Sequence, residues 1–498
     1  MTFNSRWVLI FLGALYAVRL LLIATLQLAP DEAFYWYWAK HPDLSYYDHP
    51  PMVAYIMAVF TGLGGNAPFF VRIGGLLCTI ATHIFVFLTA RRLAPEDREL
   101  PWGLLLVLNA TLLLPTGCII QTPDTPLILF WSMALYCGAA IVTGGGAKWW
   151  YLSGIALGLG LLSKYTMVLI LPCQFAFLLL SSNQRHWLTR KEPYLALGIG
   201  LILFSPVIFW NYQHDWISFG FQLNHGFSAK NDPILSKLAE YFGGQLGVVT
   251  PLLFAAFVIY SVKDVFLRSE ERDDKLLYLA CLSWPVVLFF TLSTIKGDVA
   301  EANWPAPAYM AGMLLAWLIF RQRYRERKGH RRFMRAAIGL GLAMNLVVHL
   351  HIVWPFLPIA PKKDTIRQFY GWRAMGERVK DVIAQHPSER GYFLIANMPT
   401  TVAEMVYNTG NIYTGIHLRE KEKYTFLDDL EGLTGKDALI LIHLSPGRLR
   451  RYIPCFDQLS VIGKYEYRYR NTVINDLSVT IALGKRFKGT DSDCVVAD

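Results

Sequence analysis

The sequence predicts an α-helical polytopic membrane protein of about eleven transmembrane helices with a C-terminal extracytoplasmic α/β domain, on three observations. Its 498 residues are 54% hydrophobic and only 17% charged, with a mean hydropathy of +0.33. A soluble chain carries about 25% charge. Apolar runs of about 20 residues recur, each long enough to cross roughly 30 Å of hydrocarbon. Basic residues gather in alternate loops, and the pattern changes character near residue 359.

The first apolar run, 7–29, is too long for a signal-peptide core and reads as a retained helix. Further spans are expected at 68–90, 102–120, 125–143, 150–163, 165–181, 194–210, 245–262, 276–293, 304–320 and 334–357. With the N-terminus cytoplasmic and the spans alternating, the inner loops hold Arg91-Arg92, Lys148, Arg185, Arg190-Lys191, Lys263 and Arg268. The last inner loop carries Arg321, Arg323, Arg325, Arg327, Lys328, Arg331, Arg332 and Arg335. Positive charge resists translocation, so this asymmetry sets the orientation. The net charge of +10 is therefore a topology signal, and no nucleic-acid partner is expected.

The membrane part is expected over 1–358 and the extracytoplasmic (periplasmic) domain over 359–498. In the latter, "GYFLIAN" (391–397) and "DALILIHL" (437–444) read as buried strands. "GWRAMGERVKDVIAQH" (371–386) reads as an amphipathic helix with Met375, Val379, Val382 and Ile383 on one side. "YEYRYRNTVINDLSVTIALG" (465–484) reads as strands around a turn. There is no phosphate-binding glycine loop, no nucleophile elbow and no internal repeat. Of seven cysteines, Cys78, Cys118, Cys137, Cys173 and Cys281 fall in apolar runs, and Cys455 and Cys494 are candidates to pair in an oxidising compartment.

The uncommon polar residues collect on the outer face. Asp31 and Glu32 end the first apolar run, and Asp48-His49-Pro50-Pro51 follow in the first outer loop. Asp124 lies in "QTPDTP", Lys164 and Tyr165 in "SKY", and His214, Asp215, Asn224 and His225 in a long fourth outer loop. "KGDVAEANWPAP" (296–307) precedes the tenth span. Each has a bland alternative: helix capping for Asp31, Glu32 and Asp124, snorkelling for Lys164, an interfacial belt for the rings around them. Arg19, in mid-helix, needs a partner or a thinned bilayer, and the sequence assigns it none.

Jointly these residues supply carboxylates and cations at one lipid boundary. A sugar carried on a lipid phosphate needs that combination. A carboxylate takes the proton of an acceptor hydroxyl, and Lys164, His49 and Arg72 hold the departing phosphate. The acceptor side is assigned to His214, Asp215, Asn224 and His225 from position.

"PDEAFYWYWAKHPDLSYYDHPPMVAY" resembles the first-loop signature of GT-C glycosyltransferases of the protein O-mannosyltransferase and aminoarabinose-transferase superfamily, closest to bacterial members that modify lipopolysaccharide or other surface glycans. "FFVRIGG", "QTPDTPLILFW" and "GLGLLSKYTMVL" resemble further landmarks of that family, in order, over about residues 6 to 320. The resemblance implies an inverting transferase in the inner membrane that moves a sugar from a polyprenyl-phosphate donor to a glycolipid, glycan or protein acceptor. It makes Asp31 the catalytic carboxylate with Glu32 beside it, Asp124 a second acid, and Lys164 a donor-phosphate contact, near Asp48, His49, Arg72 and Tyr165. His49 stands where aminoarabinose transferases carry a lysine, so the resemblance does not name the sugar. No cofactor is expected, although Asp31 and Asp124 leave a divalent ion open. The competing class is a transporter or flippase of a lipid-linked substrate, which tends to bind at the bilayer midplane between repeated halves.

Overall fold

The computed structural model describes residues 4–227, 232–267, 273–410, 415–416, 431–443 and 446–489. They divide into two compact units. One comprises 1–23, 48–56 and 72–349, the other 24–47, 57–71 and 350–498.

Among the described residues, six helices are long and apolar enough to cross a membrane: Ser5–Thr25, Pro68–Leu93, Asp124–Val142, Glu192–Gln213, Asp274–Lys296 and Lys328–Val353. A seventh span counts if the pair Ile234–Val249 and Pro251–Phe266, bent by 102°, is taken as one. The other expected spans are shorter or interrupted. The run 102–120 breaks into Leu100–Asn109 and Leu113–Ile119. The run 245–262 breaks at Thr250, which adopts φ 71° immediately before Pro251. A residue before proline is pushed out of the α region, which is the local reason for the break. Ala306–Ile319 is buried on every side, as befits a helix that is apolar all round.

The helices of the first unit approach closely where glycines face a neighbour. A Cβ added at Gly154 would lie 2.4 Å from the Ala196 carbonyl oxygen, and one at Gly200 2.7 Å from Leu157 Cδ2. Helices Lys148–Leu161 and Glu192–Gln213 thus pack through small residues, a mode suited to lipid surroundings. In the basic loop, Arg321 pairs with Asp97 at 2.6 Å and Arg323 with Asp264 at 2.9 Å. Two of the topology charges therefore also tie elements together. Arg19 is fully buried and donates to Asn109 Oδ1 at 3.1 Å.

The second unit holds a five-stranded sheet. Its strands are β1 (Tyr392–Ala396), β2 (Gly415–Ile416), β3 (Asp437–His443), β4 (Phe456–Tyr465) and β7 (Val479–Phe487), with β5 (Arg468–Tyr469) and β6 (Thr472–Val473) forming a separate hairpin. The order is β2-β1-β3-β7-β4. β1 is parallel to β2 and β3, while β7 is antiparallel to β3 and β4. Every residue of β1 and β3 is buried, in keeping with their continuous apolar runs. Between β5 and β6, Arg470 and Asn471 take φ 49° and 58°, the left-handed pair that a tight hairpin requires. The amphipathic helix forms at Trp372–Gln385, with Met375, Val379 and Val382 buried.

The aromatic run after the first span is the core of this unit, not an outward-facing belt. Helix Pro30–Lys40 buries Phe34 through Trp38. Trp36 donates to Asn66 Oδ1 at 3.1 Å and meets Tyr407 edge-on, and Trp38 stacks on Tyr46 at 4.4 Å. Cys455 is disulfide-bonded. Cys494 lies outside the described residues.

Candidate active site

A break between two helices creates the site of the first unit. Helix Lys148–Leu161 ends, Lys164 is extended (φ −159°, ψ 139°), and the 3-10 turn Tyr165–Leu169 follows. The Met52 amide donates to the Leu162 carbonyl at 3.0 Å, which sets the Asp48–Pro51 stretch alongside this break. Lys164 Nζ donates to Asp124 Oδ1 at 2.7 Å. Asp124 opens helix Asp124–Val142, where the positive end of the helix dipole attracts a carboxylate. Its second oxygen accepts from Asn303 Nδ2, also at 2.7 Å.

A cavity of about 370 Å³ adjoins this pair. Asp48, His49, Lys164, Tyr165, Glu301 and Trp304 supply its polar and aromatic wall. Val168, Leu223 and Phe289 supply an apolar wall and are themselves 48%, 63% and 39% exposed. Gln222 Nε2 donates to the Asp48 carbonyl, and the Tyr165 hydroxyl lies 2.8 Å from Ser218 Oγ. The cavity therefore joins a fixed ammonium to an apolar surface, an arrangement that suits an amphiphile with an anionic head. With both oxygens engaged, Asp124 is placed to hold and orient Lys164.

Of the residues singled out from sequence, Asp48, His49, Lys164 and Tyr165 come together on this cavity. Arg72 does not line it. It is fully buried in helix Pro68–Leu93 and donates to the Ile23 carbonyl at 3.5 Å. His214 caps helix Glu192–Gln213, stacks on Trp210 at 4.0 Å, and is 2.7 Å from the Trp210 carbonyl. Asp215 and Trp216 follow with φ 52° and 59°. His214 and Asp215 do not line the cavity. The side chains of Asn224 and His225 lie outside the described residues.

Asp31 and Glu32 belong to the second unit. Asp31 is exposed in the first turn of helix Pro30–Lys40. Glu32 is fully buried, and its Oε2 accepts from the Ala29 amide at 3.0 Å. Glu32 is thus a capping carboxylate, while Asp31 is an exposed residue of the same first turn. Among the described residues no three His, Cys, Asp or Glu side chains form a group suited to a metal.

Sequence reasoning missed Asn303, Glu301 and Trp304. Their segment was visible as a polar run before an apolar helix, but nothing local tells which of its residues face the cavity.

Comparison with known proteins adds independent findings. The family model described as dolichyl-phosphate-mannose-protein mannosyltransferase matches residues 48–210. The lipid A galacturonosyltransferase RgtD of Rhizobium johnstonii is 27% identical over 82% of this chain and 84% of its own length. The undecaprenyl phosphate-α-4-amino-4-deoxy-L-arabinose arabinosyl transferase of Edwardsiella ictaluri is 24% identical over 68% of this chain and 61% of its own. Crystal structures of ArnT from Cupriavidus metallidurans, apo and bound to undecaprenyl phosphate, superpose with a TM-score of 0.67, cover 96% of this chain and 98% of theirs, and are 13% and 14% identical. The chain is a membrane glycosyltransferase. The transferase has the fold of ArnT, and the family match begins at Asp48, on the cavity wall.

Proposed function

We propose that the transferase moves a sugar from a polyprenyl-phosphate donor to an acceptor on the extracytoplasmic side, a glycolipid of the lipid A type or another surface glycan. The observation that carries this reading is the cavity, in which the Lys164 ammonium adjoins apolar, outward-exposed side chains. The ammonium suits the donor phosphate, and the apolar wall suits the first isoprene units. Among the relatives, one is named for lipid A and one for undecaprenyl phosphate.

In the reaction the bond between the anomeric carbon and the phosphate oxygen breaks, and one from the same carbon to an acceptor oxygen forms. The released polyprenyl phosphate gains charge, which Lys164 offsets from a fixed position. Where the acceptor is a hydroxyl, its proton passes to the Asp31 carboxylate, the role that the first-loop signature implies. Where it is a phosphate, no base is needed and Asp31 positions the donor. His49 shares the donor phosphate, and Asp48 and Tyr165 shape the same end. The orientation that fits this chemistry has the N-terminus cytoplasmic and residues 359–498 periplasmic, the arrangement that the charge map favours.

The test is transfer by purified protein in nanodiscs, with a panel of polyprenyl-phosphate sugars and mass spectrometry of lipid acceptors. A sugar-sized mass gain that Lys164→Ala and Asp31→Asn each abolish supports the reading. Full transfer by both folded variants overturns it.

A further inference from the structure

We propose that Glu301 and Trp304 form the sugar-recognising wall of the donor cavity, and that they favour a sugar rich in hydroxyl or ammonium donors over a uronic acid. The inference rests on the reading of this cavity as the donor site.

A lipid-linked sugar has three chemically distinct parts, and the cavity offers three kinds of wall. The apolar side chains suit the tail and Lys164 suits the phosphate. Beside the Asp48, His49 and Tyr165 end of the polar wall, the lining includes a second carboxylate, Glu301, with an indole, Trp304, three residues later in the chain. Carboxylate oxygens accept hydrogen bonds from ring hydroxyls, and bonds to a charged group are the stronger kind. An indole face covers the C–H side of a sugar ring. A carboxylate on the sugar would instead meet like charge.

The segment that carries both residues is held in place on several sides. Lys237 Nζ donates to the Gly297 carbonyl at 2.7 Å and Gln245 Nε2 to the Ala302 carbonyl at 3.3 Å. The Ala300 amide donates to Thr294 Oγ1 at 3.1 Å, and the Trp304 amide to the Glu301 carbonyl at 3.0 Å. Asn303, between them, is bonded to Asp124. The same loop therefore fixes the Asp124–Lys164 pair and carries Glu301 and Trp304 to the cavity wall. Glu301 is exposed, and it joins these anchoring bonds through its backbone carbonyl rather than its carboxylate, so the carboxylate is a poor candidate for a purely structural role.

The experiment is binding of three probes to the full-length protein in nanodiscs: bare polyprenyl phosphate, its neutral hexose conjugate and its uronic acid conjugate. Wild type is expected to bind the hexose conjugate more tightly than the bare lipid, and the uronic conjugate more weakly than the hexose one. In Glu301→Gln, an isosteric change at an exposed position, the preference for hexose conjugate over bare lipid is expected to fall about tenfold, while rejection of the uronic conjugate relaxes. Trp304→Ala is expected to lower the same preference, and Trp304→Phe to restore part of it. If both ratios in Glu301→Gln equal those of wild type, the sugar-wall assignment is wrong and the donor site stands. If wild type binds none of the three lipids, the donor-site reading fails and this inference fails with it.

Discussion

Lys164 and Asp124, forty residues apart in sequence, meet at 2.7 Å with side chains only 11% and 13% exposed. Breaking a fully buried ion pair by removing one partner costs roughly 3–5 kcal/mol, and partial exposure lowers that here. Lys164→Met is therefore expected to lose donor binding and some stability together. Asp124→Asn keeps an acceptor for Lys164 and is expected to fold, with transfer reduced because the ammonium is less firmly held. A double-mutant cycle on Lys164→Met and Asp124→Leu, read by thermal unfolding, should give a coupling of about 1 kcal/mol or more. Additive effects would show that the pair is not a unit.

Asp31 and Glu32 are neighbours with opposite placements, and substitutions should separate them. Asp31→Asn is expected to lower transfer by about 10²–10⁴-fold with unchanged thermal stability, as for loss of a general base. Glu32→Gln retains an acceptor for the Ala29 amide and should stay active. Glu32→Ala leaves that buried amide unsatisfied, at about 1–3 kcal/mol, and should appear chiefly as lower stability. The pair of measurements is turnover and melting temperature on each variant. Equal loss of turnover in Asp31→Asn and Glu32→Gln would contradict the division of roles.

The outline of this architecture was legible because lipid and sheet impose strong patterns. Long apolar runs marked the spans, and the unbroken apolar strings at 391–397 and 437–444 marked β1 and β3. The edge strand β4 went unseen because half of its residues are exposed, only one is buried, and it carries no continuous apolar run. Helix Pro399–Thr409, whose buried face includes Thr401 and Glu404, also lacked a clean stripe. Spans that break at Thr250 or near Ala110 looked continuous, since apolarity does not report backbone path. Lys164 and His49, which line the cavity, stood out in the sequence as charge out of place. Asn303 did not, because a neutral amide in a polar loop looks like any other, and only the fold shows that it reaches Asp124. Arg72 drew notice for the same reason as Lys164, yet it is buried against the Ile23 carbonyl.

Gly154 allows the backbone of one helix to approach that of the next. Gly154→Leu would drive its side chain into the Ala196 backbone, which has no flexible end to move. Overpacking of this kind costs about 1–3 kcal/mol or more. The expected result is a lower melting temperature in detergent and lower yield, with donor affinity preserved in the fraction that folds. Gly198→Ala, at a position where an added Cβ meets nothing within 4 Å, is the matched control on the same helix pair. Equal behaviour of the two variants would refute close packing at this contact.

Acid should destabilise the chain through His443. This residue ends β3, is 1% exposed, and places Nε2 2.8 Å from Thr401 Oγ1. Burial, only partly opposed by Asp476, pushes its imidazole down to about 4 from the ordinary 6.5. The folded protein therefore keeps a neutral ring where the unfolded chain takes up a proton. The stabilisation is complete above pH 6.5, falls as pH drops from 6.5 to about 4, and is lost in full below that, up to about 3 kcal/mol. Asp437 acts elsewhere on the pH axis. Burial raises its carboxyl, but hydrogen bonds from Lys485, the Arg486 amide and Ser388 outweigh that and hold it below 3.8. Its contribution is present above 3.8 and declines only under that value. Chemical unfolding of the full-length protein between pH 7 and 4.5 should thus show a falling midpoint that His443→Gln flattens. An unchanged slope in that variant would move the acid sensitivity to another group.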